Sequence, residues 1–200
     1  MPRVAPRPST ELTQFAQMFR DLEEFFGFLP NDYLTMGHRP NLVKAIAGLT
    51  AALVFDEGET SLELRLLVPY VASRAANCAY CVAHSAALIE RNGLSMDKVR
   101  RSAQFETDPI FSDAERAALR VAARANMRPN GVTDRDFAEL KQHYSDQAIV
   151  EIVGLIAMMA FYNRWNDTMA TTLERGPQKI ASEFLAADGW LIGQHAEPAA

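Results

Sequence analysis

Several features that identify common classes of protein are scarce in this sequence. Only two of the 200 residues are cysteine, too few for a scaffold built on disulfides. Lys and Arg (20) are outnumbered by Asp and Glu (25), which gives a net charge of −5 and no basic surface of the kind that binds nucleic acid or an anionic membrane. We therefore expect neither nucleic acid nor membrane among the partners.

Long apolar runs are also missing. The first ten residues, MPRVAPRPST, contain three prolines and two arginines but lack the apolar stretch of a secretory signal. The most apolar segment, residues 152–162, is shorter than the ~20 residues that span a bilayer, and it indicates a buried helix. The sequence thus predicts a cytoplasmic protein. In that reducing compartment, two closely spaced cysteines indicate redox or metal chemistry rather than a structural disulfide.

The alternating pattern of β-strands is absent, whereas apolar residues recur at helical spacing almost throughout. Capping boxes mark helix starts at residues 60–63 (TSLE) and 112–115 (SDAE), with a looser version at residues 133–136 (TDRD). Ser145 is a further N-cap candidate. We predict an all-α domain of about seven or eight helices.

The two cysteines lie in the motif NCAYCVAH, residues 77–84. Asn77 is a suitable N-cap, which would place Cys78 at a helix start and Cys81 one turn inside, where backbone amides lower the pKa of a thiol. His84 follows Cys81 by three residues and shares its face of the helix, but points away from Cys78. The spacing indicates Cys81 as nucleophile, Cys78 as its disulfide partner and His84 as the group that exchanges a proton with Cys81.

Two other interpretations of the cysteine pair stay open at this point. Cysteine is often an inert buried residue, although the close spacing argues against that here. A zinc site at Cys78, Cys81 and His84 would need a fourth ligand such as Glu63 or His143, and the second ligand pair of a structural zinc site is missing. We predict a redox pair, with no metal and no bound cofactor.

The longer segment ASRAANCAYCVAH resembles the CxxC segment of the alkylhydroperoxidase D-like branch of the carboxymuconolactone decarboxylase family. The downstream sequence from SDAERAALRV to NRWNDTMATTLE, together with GW and GQH near the C-terminus, is similar to the rest of that family's domain. The resemblance covers residues 39–195 and implies a single all-α domain of that type. Residues 1–38 are then an N-terminal arm and helical extension. The resemblance also implies a homo-oligomer: a dimer, trimer or hexamer.

The family's peroxidase branch implies an activity, that of a peroxiredoxin-like alkyl hydroperoxide reductase. There the cysteine that matches Cys81 attacks a hydroperoxide and becomes a sulfenic acid. The cysteine that matches Cys78 then closes a disulfide, which an external dithiol reduces. We therefore expect a thiol-dependent peroxidase or disulfide oxidoreductase.

Two positions depart from the family's pattern. Ser85 stands where the family has a histidine, with His84 one residue earlier, and Leu66 stands where it has a glutamate. Glu63, one helical turn before Leu66, is the candidate replacement for that glutamate. The alternatives are the family's lactone decarboxylation, which does not depend on a CxxC, and a non-catalytic helical oligomer that senses redox state.

Overall fold

A computed structural model describes residues 1–197, which contain α-helices and short helical turns but no β-strand. The all-α class is therefore confirmed. Ten α-helices occur in these residues, more than the periodicity of the sequence resolves. They are α1 (Ala16–Phe26), α2 (Asn31–Met36), α3 (Pro40–Thr50), α4 (Leu62–Ala76), α5 (Ala79–Arg91), α6 (Met96–Arg100), α7 (Asp113–Ala125), α8 (Asp134–Leu140), α9 (Asp146–Met169) and α10 (Arg175–Phe184). Residues Ala51–Phe55 extend α3 by a π-helical turn.

Three helices start where their capping residues predict. Ser112 begins α7 and Thr133 begins α8, each with a full capping box. Ser145 begins α9 by accepting a hydrogen bond from Ala148 N. These side chains satisfy first-turn amides that have no partner within the helix. Local sequence alone therefore sets the starts of three helices.

The start of α4 differs by one residue from the expected capping box. Ser61, not Thr60, is the N-cap, and its Oγ accepts a hydrogen bond from Leu64 N at 3.2 Å. Thr60 instead donates its hydroxyl to Glu151 at 2.8 Å, and its backbone N–H donates to the same carboxylate at 3.0 Å. A contact distant in sequence thus overrides the local pattern.

One apolar core extends from the N-terminal segment into the remaining helices. α4 lies against α5, α7 and α9, and α5 also contacts α10. The side chains of Leu12, Phe15, Phe19, Leu22 and Met36 are buried in the same core. Residues 1–38 therefore pack against the remainder of the chain, and the domain boundary after residue 38 stays a prediction.

Helix α9 is longer than its apolar centre suggests. Its 24 residues are long and apolar enough, by length and composition, to cross a membrane. However, half of its most apolar window is buried inside the domain, where it contacts α4, α5 and α7. The core helix of a globular protein passes the same test, so α9 is weak evidence for a membrane span.

A two-residue corner between α4 and α5 places the cysteines. Asn77 ends α4 in the left-handed conformation (φ 57°), which Asn tolerates better than most residues. Cys78 N donates to Ser73 O at 3.2 Å and closes the end of α4. Cys78 is also the N-cap of α5, so the expectation that Asn77 is that cap is wrong by one residue. The left-handed turn reverses the chain before α5 can begin.

The C-terminal segment returns across the start of α5. Trp190 Nε1 donates to Ala79 O at 3.1 Å, and Leu173 N donates to His195 O at 2.8 Å. From the other end of the chain, the Arg3 guanidinium donates to Thr168 O at 2.6 Å. Residues 189–195, which we call the tail segment, therefore lie over Cys78.

Candidate functional site

Cys81 lies in a cleft that is mostly apolar, which we call the apolar cleft. Phe26, Leu66, Tyr80, Leu88, Met158, Met159 and Tyr162 are among its lining residues. The cavity measures about 80 Å³, and the Cys81 side chain within it is almost completely covered, with 2% exposure. A cavity of roughly 150 Å³ holds benzene in a protein core. At about 80 Å³ the apolar cleft is smaller than that, so it holds the reactive end of a substrate, and a whole ring would enter only if the lining side chains move.

Cys78 faces a different cavity, the tail cleft, although it stands less than one turn from Cys81. This cleft is larger, about 440 Å³, and polar groups from Arg74, Asp167, Asp188 and His195 line it beside the tail segment. Cys78 itself has 0% exposure. The start of α5 thus separates the two cavities and presents one cysteine to each.

The two thiols are reduced and in contact. Burial raises the pKa of the Cys81 thiol well above its ordinary value, and the neighbouring Cys78 thiol and the Asp32 charge raise it further. Asn166 Nδ2 donates to Cys81 Sγ at 3.6 Å and acts in the opposite direction. The expectation of a lowered thiol pKa is wrong for Cys81, because burial outweighs the position near a helix start. Cys81 therefore needs a base before it can act as a nucleophile.

Asp32 is the acidic group connected to Cys81. Its Oδ2 accepts from Asn166 Nδ2 at 3.2 Å, so one amide touches both the carboxylate and the thiol. Burial raises the pKa of Asp32 to about 6; the charge of His84 opposes this shift and that of Glu174 adds to it. A carboxyl group that titrates near neutral pH can take and return a proton. The sequence analysis missed Asp32, which lies in the short helix α2 outside the region of resemblance.

His84 lines the apolar cleft, as the spacing predicts, but its hydrogen bond goes elsewhere. Its Nε2 lies 2.5 Å from Glu174 Oε2. Glu174 also accepts from Tyr80 OH at 2.9 Å and from Asn31 N at 2.5 Å. Burial alone would raise the pKa of Glu174, but the charge and hydrogen bond of His84 hold it below its ordinary value. His84 and Glu174 thus form a partly buried pair at the edge of the cleft.

Glu63 is not among the described residues that line either cleft. Its carboxylate lies 3.1 Å from Lys98 Nζ, which also binds Glu115 at 2.6 Å. Leu66, which the resemblance places at the position of the family's glutamate, lines the apolar cleft. Glu63 therefore has an ion-pair partner away from the thiols, and its catalytic role stays a prediction.

Three hydroxyl groups provide the other polar part of the apolar cleft. Tyr33 OH lies 3.0 Å from Tyr162 OH, and Thr50 Oγ1 lies 3.1 Å from Tyr162 OH and 3.4 Å from Tyr33 OH. Burial raises the pKa of both tyrosines, so they remain neutral donors and acceptors. This cluster can hydrogen-bond one polar atom of a substrate in an otherwise apolar site.

His195 and Asp167 lie beside Cys78 in the tail cleft. His195 Nδ1 is 2.7 Å from Thr171 O, and its Nε2 is 3.2 Å from Asp167 Oδ1. The Cys78 sulfur, one nitrogen of His195 and one oxygen of Asp167 all lie within 4.8 Å of one another. Since both ring nitrogens of His195 already have oxygen partners, we interpret the cluster as hydrogen-bonded rather than metal-binding. The only sequence signal for it was the GQH at residues 193–195.

Known proteins share both the sequence and the fold. The model of the carboxymuconolactone decarboxylase family matches residues 40–124. Two structures of the debrominase Bmp8 each cover 90% of this chain. The apo form is 34% identical (TM-score 0.84, 97% of that chain covered). A cysteine-to-alanine variant in complex with 2,3,4-tribromopyrrole is 33% identical (TM-score 0.85, 96% covered).

Two other relatives are more distant or match over a shorter length. A peroxidase-related protein from Ralstonia eutropha JMP134, an alkylhydroperoxidase AhpD core, has a TM-score of 0.71 and 23% identity over 86% of this chain and 88% of that chain, and so shares the fold. YnjA of Escherichia coli is 35% identical over 120 residues, or 58% of this chain. That match spans 65% of YnjA, less than two thirds of its length.

Proposed function

The chain belongs to the carboxymuconolactone decarboxylase family, among its alkylhydroperoxidase D-like members, and we propose that it is a two-cysteine reductase of small apolar electrophiles. One observation carries the proposal. The Cys81 thiol faces an apolar cleft and at the same time touches the Cys78 thiol. That arrangement lets Cys81 react with a substrate and Cys78 complete a disulfide without a large movement of the backbone.

Organic hydroperoxides are the first substrate class that we propose. The Cys81 thiolate attacks the outer oxygen of the hydroperoxide, the O–O bond breaks, and the alcohol leaves with a proton. Cys81 is then a sulfenic acid. The Cys78 sulfur attacks the Cys81 sulfur, water leaves, and a disulfide forms. An external dithiol returns two electrons and two protons to the pair.

Asp32 is the proton carrier that we propose for the first step. At neutral pH its carboxylate can accept the Cys81 proton, since the pKa near 6 keeps it mostly ionised there. The neutral carboxyl group then donates that proton to the departing alkoxide. Asn166 donates to both groups and so holds the carboxyl group close to the sulfur. The usual glutamate of the family is replaced by Leu66, so another carboxyl group has to supply the proton.

Reductive dehalogenation of a small aromatic compound is the second candidate. The observation that favours it is the similarity to the debrominase Bmp8, which extends over 90% of the chain. In this reaction the two thiols supply two electrons, the carbon–bromine bond breaks, the carbon takes a proton, bromide leaves and the disulfide forms. The aromatic lining and the hydroxyl cluster suit a small ring with one polar atom.

Thiol counting on reduced protein tests both candidates. We would quench the reaction at timed intervals after adding one equivalent of cumene hydroperoxide or of 2,3,4-tribromopyrrole, and measure free thiols and released bromide. The parent protein should lose two thiols with the preferred substrate. Cys78→Ser should form a sulfenic acid that dimedone traps, and Cys81→Ser should not react with the substrate.

Each outcome separates the candidates. Rapid loss of thiols with the hydroperoxide alone supports a peroxidase, and loss accompanied by bromide release supports a dehalogenase. Thiols that persist with both compounds would refute the reductase and favour lactone decarboxylation or a non-catalytic redox sensor. The dithiol partner, the homo-oligomer and the cytoplasmic location stay predictions.

A further inference from the structure

The long helix α9 has an apolar face that the described part of the chain leaves uncovered. Only half of its most apolar window is buried, and on the outer side Val150 is 70% exposed and Val153 is 38% exposed. Between positions 147 and 163 the one charged residue is Glu151, whose carboxylate binds Thr60. A helix that is apolar all round is normally covered all round. The outer face of α9 therefore has the composition of a contact surface.

The exposed residues of this face recur at the spacing of a coiled coil. Intervals of four and three residues alternate along it, as they do between the a and d positions of a heptad. We call this row the α9 seam, which consists of the exposed residues Asp146, Val150, Val153, Ala157, Ala160 and Arg164. We infer that the α9 seam binds the same seam of a second copy of this chain, in the antiparallel direction and about a two-fold axis. Neither the resemblance to a family nor the two clefts specify that face or that symmetry.

The charges at the two ends of the seam complement each other in one direction only. An antiparallel pair centred on residue 155 places Asp146 opposite the partner subunit's Arg164, and the two-fold axis repeats this contact at the other end. A parallel pair would instead place like charges together at both ends. Both side chains are exposed, and neither forms an ion pair within residues 1–197. The two contacts lie about 27 Å apart at a rise of roughly 1.5 Å per residue, so they fix the register of the pair.

The apolar layers between these charges combine a larger side chain with a smaller one. In the same register Val150 lies opposite the partner subunit's Ala160, and Val153 lies opposite the partner subunit's Ala157. The two-fold axis repeats each layer. One valine and one alanine in a layer let two helices approach to the usual distance of about 8–10 Å without opposing two branched side chains. Size and charge therefore favour the same register.

Apolar residues beside the seam widen the surface. Leu53 of the π-helical turn lies so close to Gly154 that an added Cβ there would come within 2.7 Å of the leucine side chain. Leu49, one turn before Leu53, is 41% exposed. On α9 itself, the rings of Phe161 and Trp165 stack at 5.9 Å. Since a stable dimer buries about 800 Å² on each subunit, these neighbours enlarge a contact that one helix face alone would leave small.

The candidate site lies on the other face of the same helix. Met158, Tyr162 and Asn166 line the apolar cleft from the buried side of α9. Pairing through the α9 seam therefore leaves the cleft open, and it involves neither thiol. The pairing can be tested without any redox chemistry, so its failure and the failure of the proposed function are separate results.

Sedimentation velocity of the reduced full-length protein over a wide range of concentrations tests the contact. We expect a dimer, or an assembly of even copy number that contains it. Ala157→Glu should raise the dissociation constant of the pair at least about a hundredfold, because it brings two carboxylates into an apolar contact. Ala103→Glu changes an exposed alanine outside α9 and is the matched control, which should assemble like the parent.

Three results would overturn the inference. They are a parent protein that is monomeric at every concentration, an assembly with an odd number of copies, and an assembly whose copy number Ala157→Glu leaves unchanged. The circular dichroism of Ala157→Glu should match that of the parent, since the substituted side chain is exposed within one subunit.

Exchanging the charges tests the direction of the pair. Asp146→Arg and Arg164→Asp each place like charges together at both ends of an antiparallel pair, and each should raise the dissociation constant at least about tenfold. The double variant restores both contacts and should assemble like the parent. A double variant that assembles no better than the weaker of the two single variants would refute the antiparallel register.

Cross-linking tests the same register without changing any charge, in case Asp146→Arg disturbs the start of α9. Val153→Cys and Ala157→Cys are each made in the Cys78→Ser/Cys81→Ser background, which removes the native thiols. Since only the mixture places two cysteines directly opposite each other, we expect it to form a disulfide-linked dimer at least about tenfold faster than either protein alone. Equal rates in the mixture and in the separate proteins would overturn the inference.

Discussion

Replacing Asp32 with Asn should make the protein more stable at neutral pH. Burial raises the pKa of Asp32 from 3.8 to about 6. That difference corresponds to about 3 kcal/mol at roughly 1.36 kcal/mol per pKa unit. Because the folded protein holds the proton more tightly than the unfolded chain, the contribution of Asp32 is fully present below pH 3.8 and is lost as the pH rises through about 6. Asn does not titrate, so the stability of Asp32→Asn does not fall as the pH rises through this range.

Hydrogen bonds reduce this gain only in part. The Asn side chain can keep the acceptor for Tyr33 N, but its new amide group then faces Asn166 Nδ2, which is also a donor. The two amides can pair only if the Asn166 amide rotates to present Oδ1, which is buried without a hydrogen-bond partner in the described structure. A lost hydrogen bond costs about 0.5–1.5 kcal/mol, so we expect a net gain of about 1–3 kcal/mol at pH 7.5.

Urea unfolding followed by circular dichroism measures the effect. With a slope of about 1–3 kcal/mol per M, the midpoint of Asp32→Asn should rise by roughly 1 M at pH 7.5. The difference from the parent should shrink towards zero at pH 4. The exposed Asp21→Asn is the matched control. A gain of the same size at both pH values, or a loss of stability at pH 7.5, would refute the reasoning.

Three further predictions concern the site. Glu174→Gln removes the charged partner of His84 and should slow steady-state peroxide turnover more than Glu63→Gln does. A larger loss of turnover in Glu63→Gln would instead support the catalytic role that the sequence analysis predicts for Glu63. Asn77→Ala should lower the free energy of unfolding by about 1–2 kcal/mol, and Asn77→Gly by less, because only the former strains the left-handed turn. In Cys78→Ser, alkylation of Cys81 by iodoacetamide should still be accelerating above pH 9, since burial raises the thiol pKa; a plateau near pH 8 would contradict this.

The sequence predicts those features of the site that depend on local spacing. The capping residues locate α7, α8 and α9, and the CxxC motif lies where α5 begins, with His84 on the cleft side of that helix. Where a distant side chain competes, the local pattern fails. Glu151 takes Thr60 away from the start of α4. A second failure is local, because the left-handed turn at Asn77 makes Cys78 the cap of α5.

The acid–base groups depend on tertiary structure and were missed for that reason. Asp32, Asn166 and Glu174 come from α2, α9 and the start of α10, and none of them lies within the residues 40–124 that match the family model. Nothing in the local sequence shows that Asp32 becomes buried or that Glu174 lies against His84. Membership of the family therefore identifies the cysteines, while parts of the chain beyond the matched region supply the proton chemistry around them.

Because the first turn of α5 presents Cys81 to one cavity and Cys78 to another, a molecule that reacts at one sulfur need not share a binding surface with a molecule that reacts at the other. A double-displacement enzyme with a single shared pocket is inhibited by excess of either reactant, since each blocks the other's form of the enzyme. Here a large excess of dithiol should cause no competitive inhibition against the oxidising substrate. Double-reciprocal plots at different dithiol concentrations should therefore remain parallel. Such an enzyme would keep working in a compartment where thiols greatly outnumber the substrate.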